Sequence, residues 1–190
     1  MQGFDAAFSY GVYEGRLRQL IQLLKYGGIR TLAGPLAEWL SAALPRGQRF
    51  DFIAPMPIHW RRRWTRGFNQ SELLARALSR RTGIPVRDVV RKRKSTPPQA
   101  GLTAPQRRAN VASVFETRKQ DAVIGRRILL VDDVLTTGAT ASACARTLKR
   151  AGAASITVLT VARADRRVWV QEAGVVETLP PIAVKPSVGA

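Results

Sequence analysis

The stretch ILLVDDVLTTGAT, residues 128–140, constrains the fold more than any other part of this sequence. Ile128 to Val131 form an unbroken apolar run, and such a run bounded by polar residues reads as a buried strand. A helical period follows from about Ala139 to Ala151, and a second apolar run follows from Ile156 to Val161. Strand, helix and strand in that order imply parallel pairing through a right-handed crossover. A strand that is apolar throughout belongs at the centre of such a sheet.

Other elements extend the pattern. Val12, Leu17, Leu20, Ile21 and Leu24 recur at helical spacing, with Gly27 and Gly28 as the stop. A second helix is predicted from about Leu32 to Leu44, with Leu36, Trp39, Leu40 and Ala43 facing inward. Phe52 to Ala54 reads as a short buried strand. A basic loop, IHWRRRWTRGFNQ, leads into a helix from about Ser71 to Arg81. Val86 to Val90 and Val111 to Phe115 are expected strands flanking a polar segment, Arg91 to Ala109, that has no apolar period. The expected architecture is α/β, a central and mostly parallel sheet flanked by helices. It occupies residues 1–168, with an N-terminal helical part over 1–47 and a loosely ordered tail over 169–190.

Two adjacent acids, Asp132 and Asp133, close the central strand. Ligands of open α/β sheets bind outside the carboxyl ends of strands. Neighbouring strand residues point to opposite sides, so the pair suits holding hydroxyls or a hydrated metal better than sharing a proton. Thr136, Thr137, Gly138, Ala139 and Thr140 then form a turn into a helix. Gly138 permits close backbone approach, and the free N–H groups of a helix start favour a phosphate. A phosphate cradle beside a hydroxyl-binding acidic pair describes a site for ribose 5-phosphate.

ILLVDDVLTTGAT resembles the phosphoribosyl pyrophosphate (PRPP) motif of type I phosphoribosyltransferases. With YEGRLRQLIQLLKYGG, DFIAPMPIHWRRRWTRGFNQSELLARAL, STPPQAGLTAPQRRANV and TVAR, the sequence resembles the ComF family, a phosphoribosyltransferase-like group associated with competence and DNA uptake. The resemblance spans about Phe8 to Arg163. It implies Mg²⁺-dependent transfer of a phosphoribosyl group with release of pyrophosphate, with Asp132 and Asp133 acting at the ribose and touching the metal indirectly, through Mg-PRPP. It also implies that Arg61, Arg62, Arg63 and Arg66 lie on a pyrophosphate loop. Thr96, Gln99, Arg107, Arg108 and Asn110 would lie on a flexible closing loop. Many ComF-family proteins begin with a cysteine-rich zinc-binding segment that this sequence lacks. It reads as a short member or as a sequence starting downstream of such a segment.

Composition narrows the partners. Thirty-one Lys and Arg against thirteen Asp and Glu give a net charge of +18, which favours polyanions such as phosphorylated metabolites or nucleic acid. Trp60, Trp64 and Phe68 alternate with arginines and would either stack on single-stranded bases or anchor the loop to the core. A non-catalytic protein that senses PRPP or handles single-stranded DNA is therefore the competing reading, with competence-machinery proteins as further partners. Cys144 is the only cysteine, which excludes an internal disulfide framework, and it is expected to be a small buried side chain. His59, the only histidine, is read as a local hydrogen-bonding residue, and Tyr26 to Gly28 as a helix stop and not a ligand group. No apolar stretch is long enough to span a bilayer and the start is not a signal peptide, so a cytoplasmic protein is expected. The acceptor is not legible, and a homo-oligomer is compatible with the sequence.

Overall fold

The computed structural model describes residues 3–58, 67–92 and 114–164. Among them, β1 (Ala6–Val12), β2 (Phe52–Pro55), β5 (Arg127–Leu135) and β6 (Ser155–Arg163) form a sheet in the order β1-β6-β5-β2, every neighbour parallel. A separate antiparallel ribbon joins β3 (Val90–Lys92) to β4 (Phe115–Thr117). The helices are α1 (Gly15–Lys25), α2 (Ala33–Ala42), α3 (Gln70–Thr82) and α4 (Ala139–Arg150). The α/β architecture expected from the sequence is the one observed.

The sheet divides the core in two, and the period-2 alternation of the strands decides which residue goes where. Ile128 and Leu130 of β5, with Ile156 and Val158 of β6, pack against Cys144, Ala145 and Leu148 of α4. Leu129 and Val131, with Leu159 and Val161, face Ile21 and Leu24 of α1, Leu36 and Leu40 of α2, and Leu74 and Leu78 of α3. All four residues from Ile128 to Val131 are fully buried, each such side chain stabilising the fold by about 1.5–3 kcal/mol. β5 is thus covered on both faces and paired on both edges, as a central strand must be.

Several boundaries differ from expectation. Val12 is not the start of a helix but the end of β1, and the N-terminal part is not all helical. Residues 6–12 carry no strict alternation because every one of them is half-buried on an outer strand. Their pairing partner, β6, lies about 150 residues away, beyond the reach of any local pattern. The strand expected over Val86 to Val90 is reduced to a single bridge from Val86 to Ile53, with Val90 opening β3. Arg91 and Lys92, assigned to the polar loop, belong to that ribbon. The strand expected from Val111 begins at Phe115, residues 111–113 lying outside the described residues. The tail over 169–190 also lies outside them.

The N-terminal segment braces α4. Asp5 accepts from the Ile156 backbone N–H and pairs with Lys149, while Gly3 N–H donates to Ser142 Oγ at 3.1 Å. A Cβ on Gly3 would collide with the Ser142 carbonyl oxygen, so the approach requires glycine. No helix among the described residues is long and apolar enough to cross a membrane.

Candidate functional site

β5 does not stop at its acids. It continues to Leu135, outrunning β2, whose last partner on it is Val131. The overhang carries Asp132 and Asp133 past the end of the neighbouring strand, and a cleft of about 200 Å³ opens there. Of the residues singled out in the sequence, Asp132, Asp133, Thr136, Gly138 and Thr140 line it. Gly138 caps α4 with φ of 73°, in the left-handed region that glycine tolerates. Thr137 turns to the backbone instead, its hydroxyl oxygen lying 3.4 Å from the Ala139 N–H.

The acids have different partners. Asp132 Oδ1 accepts from Ser71 Oγ at 2.7 Å and from the Asp133 backbone N–H at 2.9 Å. Burial, then the neighbouring Asp133 charge, pushes the Asp132 carboxyl up to about 7, against the opposing pull of the Ser71 hydrogen bond. Asp133 is buried, and its Oδ1 lies 2.7 Å from Lys25 Nζ. Its other oxygen, Oδ2, is buried with no hydrogen-bond partner among the described residues, a condition that costs about 1–3 kcal/mol unless something meets it.

Ser71 reaches Asp132 because of how α3 begins. Asn69 is the helix cap, its Oδ1 accepting from the Ser71 N–H at 3.1 Å, as capping residues do. Its Nδ2 donates to the Met56 carbonyl at 3.1 Å, and the Met56 N–H donates to the Val131 carbonyl. The two ends of the arginine loop are thereby stapled beside β5. Phe68 is buried with the Arg30 guanidinium 4.9 Å over its ring, so of its two expected roles it anchors the loop. Arg61, Arg62, Arg63, Arg66, His59, Trp60 and Trp64 lie outside the described residues. So do Thr96, Gln99, Arg107, Arg108 and Asn110, although Lys92, at the root of that second segment, lines the cleft.

Sequence reasoning missed several wall residues. Lys25 and Tyr26 reach the cleft from the end of α1, and Gln70 from the start of α3. The Tyr26 N–H caps α1 by donating to the Gln22 carbonyl, so the expected helix stop is present; yet Tyr26 also lines the cleft and is 73% exposed. A lysine closing an amphipathic helix carries no signal of this, since such positions are ordinarily solvated. Cys144 is buried as expected, and burial drives its thiol far above the usual range, making it unreactive.

Comparison with known proteins gives this geometry a context. Residues 69–186 match the phosphoribosyl transferase domain family. The chain is 34% identical to Competence protein F of Haemophilus influenzae, over 85% of this chain and 74% of that protein. It is 35% identical to DNA utilization protein YhgH of Escherichia coli K12, over 80% and 69% respectively. Among solved structures, the glutamine PRPP amidotransferase of Bacillus subtilis complexed with ADP and GMP aligns with a TM-score of 0.51. That match has 20% identity and covers 68% of this chain and 26% of that one, a likeness of fold.

Proposed function

We propose a ligand and a reaction for a chain that belongs to the ComF family and carries a phosphoribosyl transferase domain: it binds PRPP and transfers the phosphoribosyl group with release of pyrophosphate. One observation carries this reading. The cleft at the end of β5 sets an acidic pair, Asp133 buried and Asp132 half-buried, beside the glycine-capped start of α4, which matches a ribose diol joined to a 5-phosphate. The phosphate would lie against Thr136, Gly138 and Thr140, where backbone N–H groups and the helix dipole favour negative charge. The ribose hydroxyls would donate to Asp132 and Asp133, and a hydroxyl proton would meet the orphaned Asp133 Oδ2.

Among the described residues no three His, Cys, Asp or Glu side chains converge as a metal cage. Two carboxylates with one unmet oxygen fit a hydrated Mg²⁺ carried in with its phosphate ligand. Bound there, Mg²⁺ would neutralise charge on the departing pyrophosphate. The acceptor attacks C1 of the ribose, its bond to C1 forms, and the C1–O bond breaks with its electron pair leaving on pyrophosphate. Arg61, Arg62, Arg63 and Arg66 would hold that pyrophosphate, and Arg107 and Arg108 would close over it.

Calorimetry with PRPP and Mg²⁺ tests the binding. Heat is expected from the native protein and none from Asp132→Asn combined with Asp133→Asn. No heat at millimolar PRPP refutes the proposal. Pyrophosphate release with a panel of amines and bases then separates a catalyst from a sensor.

The net charge of +18 and a relative named for DNA utilization favour a second activity, handling single-stranded DNA within natural transformation. If arginines contact phosphates, affinity for single strands falls steeply with salt. A flat salt dependence removes that contact set.

A further inference from the structure

We infer that Lys25 is a positioning residue of the PRPP site, acting through Asp133: it ties down one carboxylate oxygen so that the other is left for a ligand hydroxyl. This rests on the PRPP reading above and extends the site to the N-terminal helix, which lies outside residues 69–186.

Lys25 is the last residue of α1, so its side chain leaves a helix end where unmet carbonyls favour a cation. It crosses to β5 and places Nζ 2.7 Å from Asp133 Oδ1, with side-chain exposures of 17% and 4%. A pair this enclosed is far less screened than a surface pair. Removing either partner strands the other charge. Both residues line the cleft. The contact is one-sided, because Asp133 Oδ2 is buried without a partner among the described residues. A carboxylate that were only structural would have both oxygens met, since buried acceptors left unmet are expensive.

The pairing also divides labour between the acids. Ser71 of α3 and the Asp133 backbone N–H of β5 hold Asp132, and Lys25 of α1 holds Asp133. Each carboxylate is thus met by a side chain from a different helix. Lys25 need not leave when ligand arrives, because the oxygen it occupies is not the one that lacks a partner.

The test is a double-mutant cycle on the full chain, read as PRPP affinity by calorimetry in Mg²⁺, using native protein, Lys25→Met, Asp133→Asn and the two combined. Lys25→Met is expected to weaken binding about 10- to 100-fold, the range seen when the residue orienting a metal-ligating side chain is removed, and Lys25→Arg to restore most of it. Added to Asp133→Asn, Lys25→Met is expected to change affinity by less than about threefold, since its target is already gone. Native-like affinity in Lys25→Met overturns the inference. A further tenfold loss in the Asp133→Asn background also overturns it, because Lys25 would then hold the ligand itself. If Lys25→Met alone does not fold, that background still decides, having no buried carboxylate to strand. Native protein that fails to bind PRPP removes the proposed function and the inference together, whereas native binding with an indifferent Lys25 removes only the inference.

Discussion

Ser71 Oγ donates to Asp132 Oδ1 at 2.7 Å, across 61 residues of sequence, and ties the first turn of α3 to the overhang of β5. The Asn69 cap holds Ser71 in place from one side, and β5 holds Asp132 from the other. Ser71→Ala leaves Asp132 in the same desolvated place with one donor fewer. A loss of about 1–3 kcal/mol is expected from urea unfolding, and the Asp132 carboxyl should rise further, since the Ser71 hydrogen bond is the largest of the influences that lower it.

The same carboxyl predicts how stability changes with pH. Asp132 ionises near 3.8 when free and near 7 in the folded protein. Between those values the folded chain keeps a proton that the unfolded chain has released, so stability falls as pH rises through that window. The contribution is complete below about pH 4. Chemical denaturation at a series of pH values should show the decline, and Asp132→Asn should flatten it. A native curve that rises from pH 4 to 7 would contradict the assignment.

Gly138→Ala separates strain from crowding. A Cβ there would meet Phe4 and Leu135 no closer than 3.8 Å, an ordinary contact, so space is not the obstacle. The positive φ is. About 1–2 kcal/mol of destabilisation is expected, with weaker binding of inorganic phosphate at the start of α4, measured by thermal melting with and without the anion.

Cys144 offers a clean report on the core. It is the only cysteine in the sequence and is fully buried among Leu148, Ile128 and their neighbours. Thiol reagents should leave the native protein unmodified and label it at the rate of opening under denaturant. Rapid labelling without denaturant would mean that α4 is not seated on the sheet as described.

Much of this was legible in the residues. Ile128 to Val131 announced a central strand because only a strand covered on both faces can be apolar at every position. Asp132, Asp133, Thr136, Gly138 and Thr140 were legible because they follow one another through a strand, a turn and a helix start, so local geometry alone brings them to one cleft. Val12 misled because it falls in phase with the apolar stripe of α1, although its neighbours on the chain pair with β6. Lys25, Ser71 and Lys92 were not legible at all. Lys25 and Lys92 reach the cleft and Ser71 reaches Asp132, each from a different element, and nothing local marks a lysine or serine for such a place.

The sequence by itself determined what is local: the central strand, the turn with its glycine, the helices by their period, and the order that makes the sheet parallel. Tertiary structure alone decided what depends on distant segments meeting. It placed β1 beside β6, ran β5 past β2 so that its acids overhang a cleft, and assigned Ser71 to Asp132 and Lys25 to Asp133. The physical reason is range. Backbone propensity and hydrophobic period act over a few residues, whereas the partner of a buried charge is chosen by whichever donor the packed helices bring within hydrogen-bonding distance.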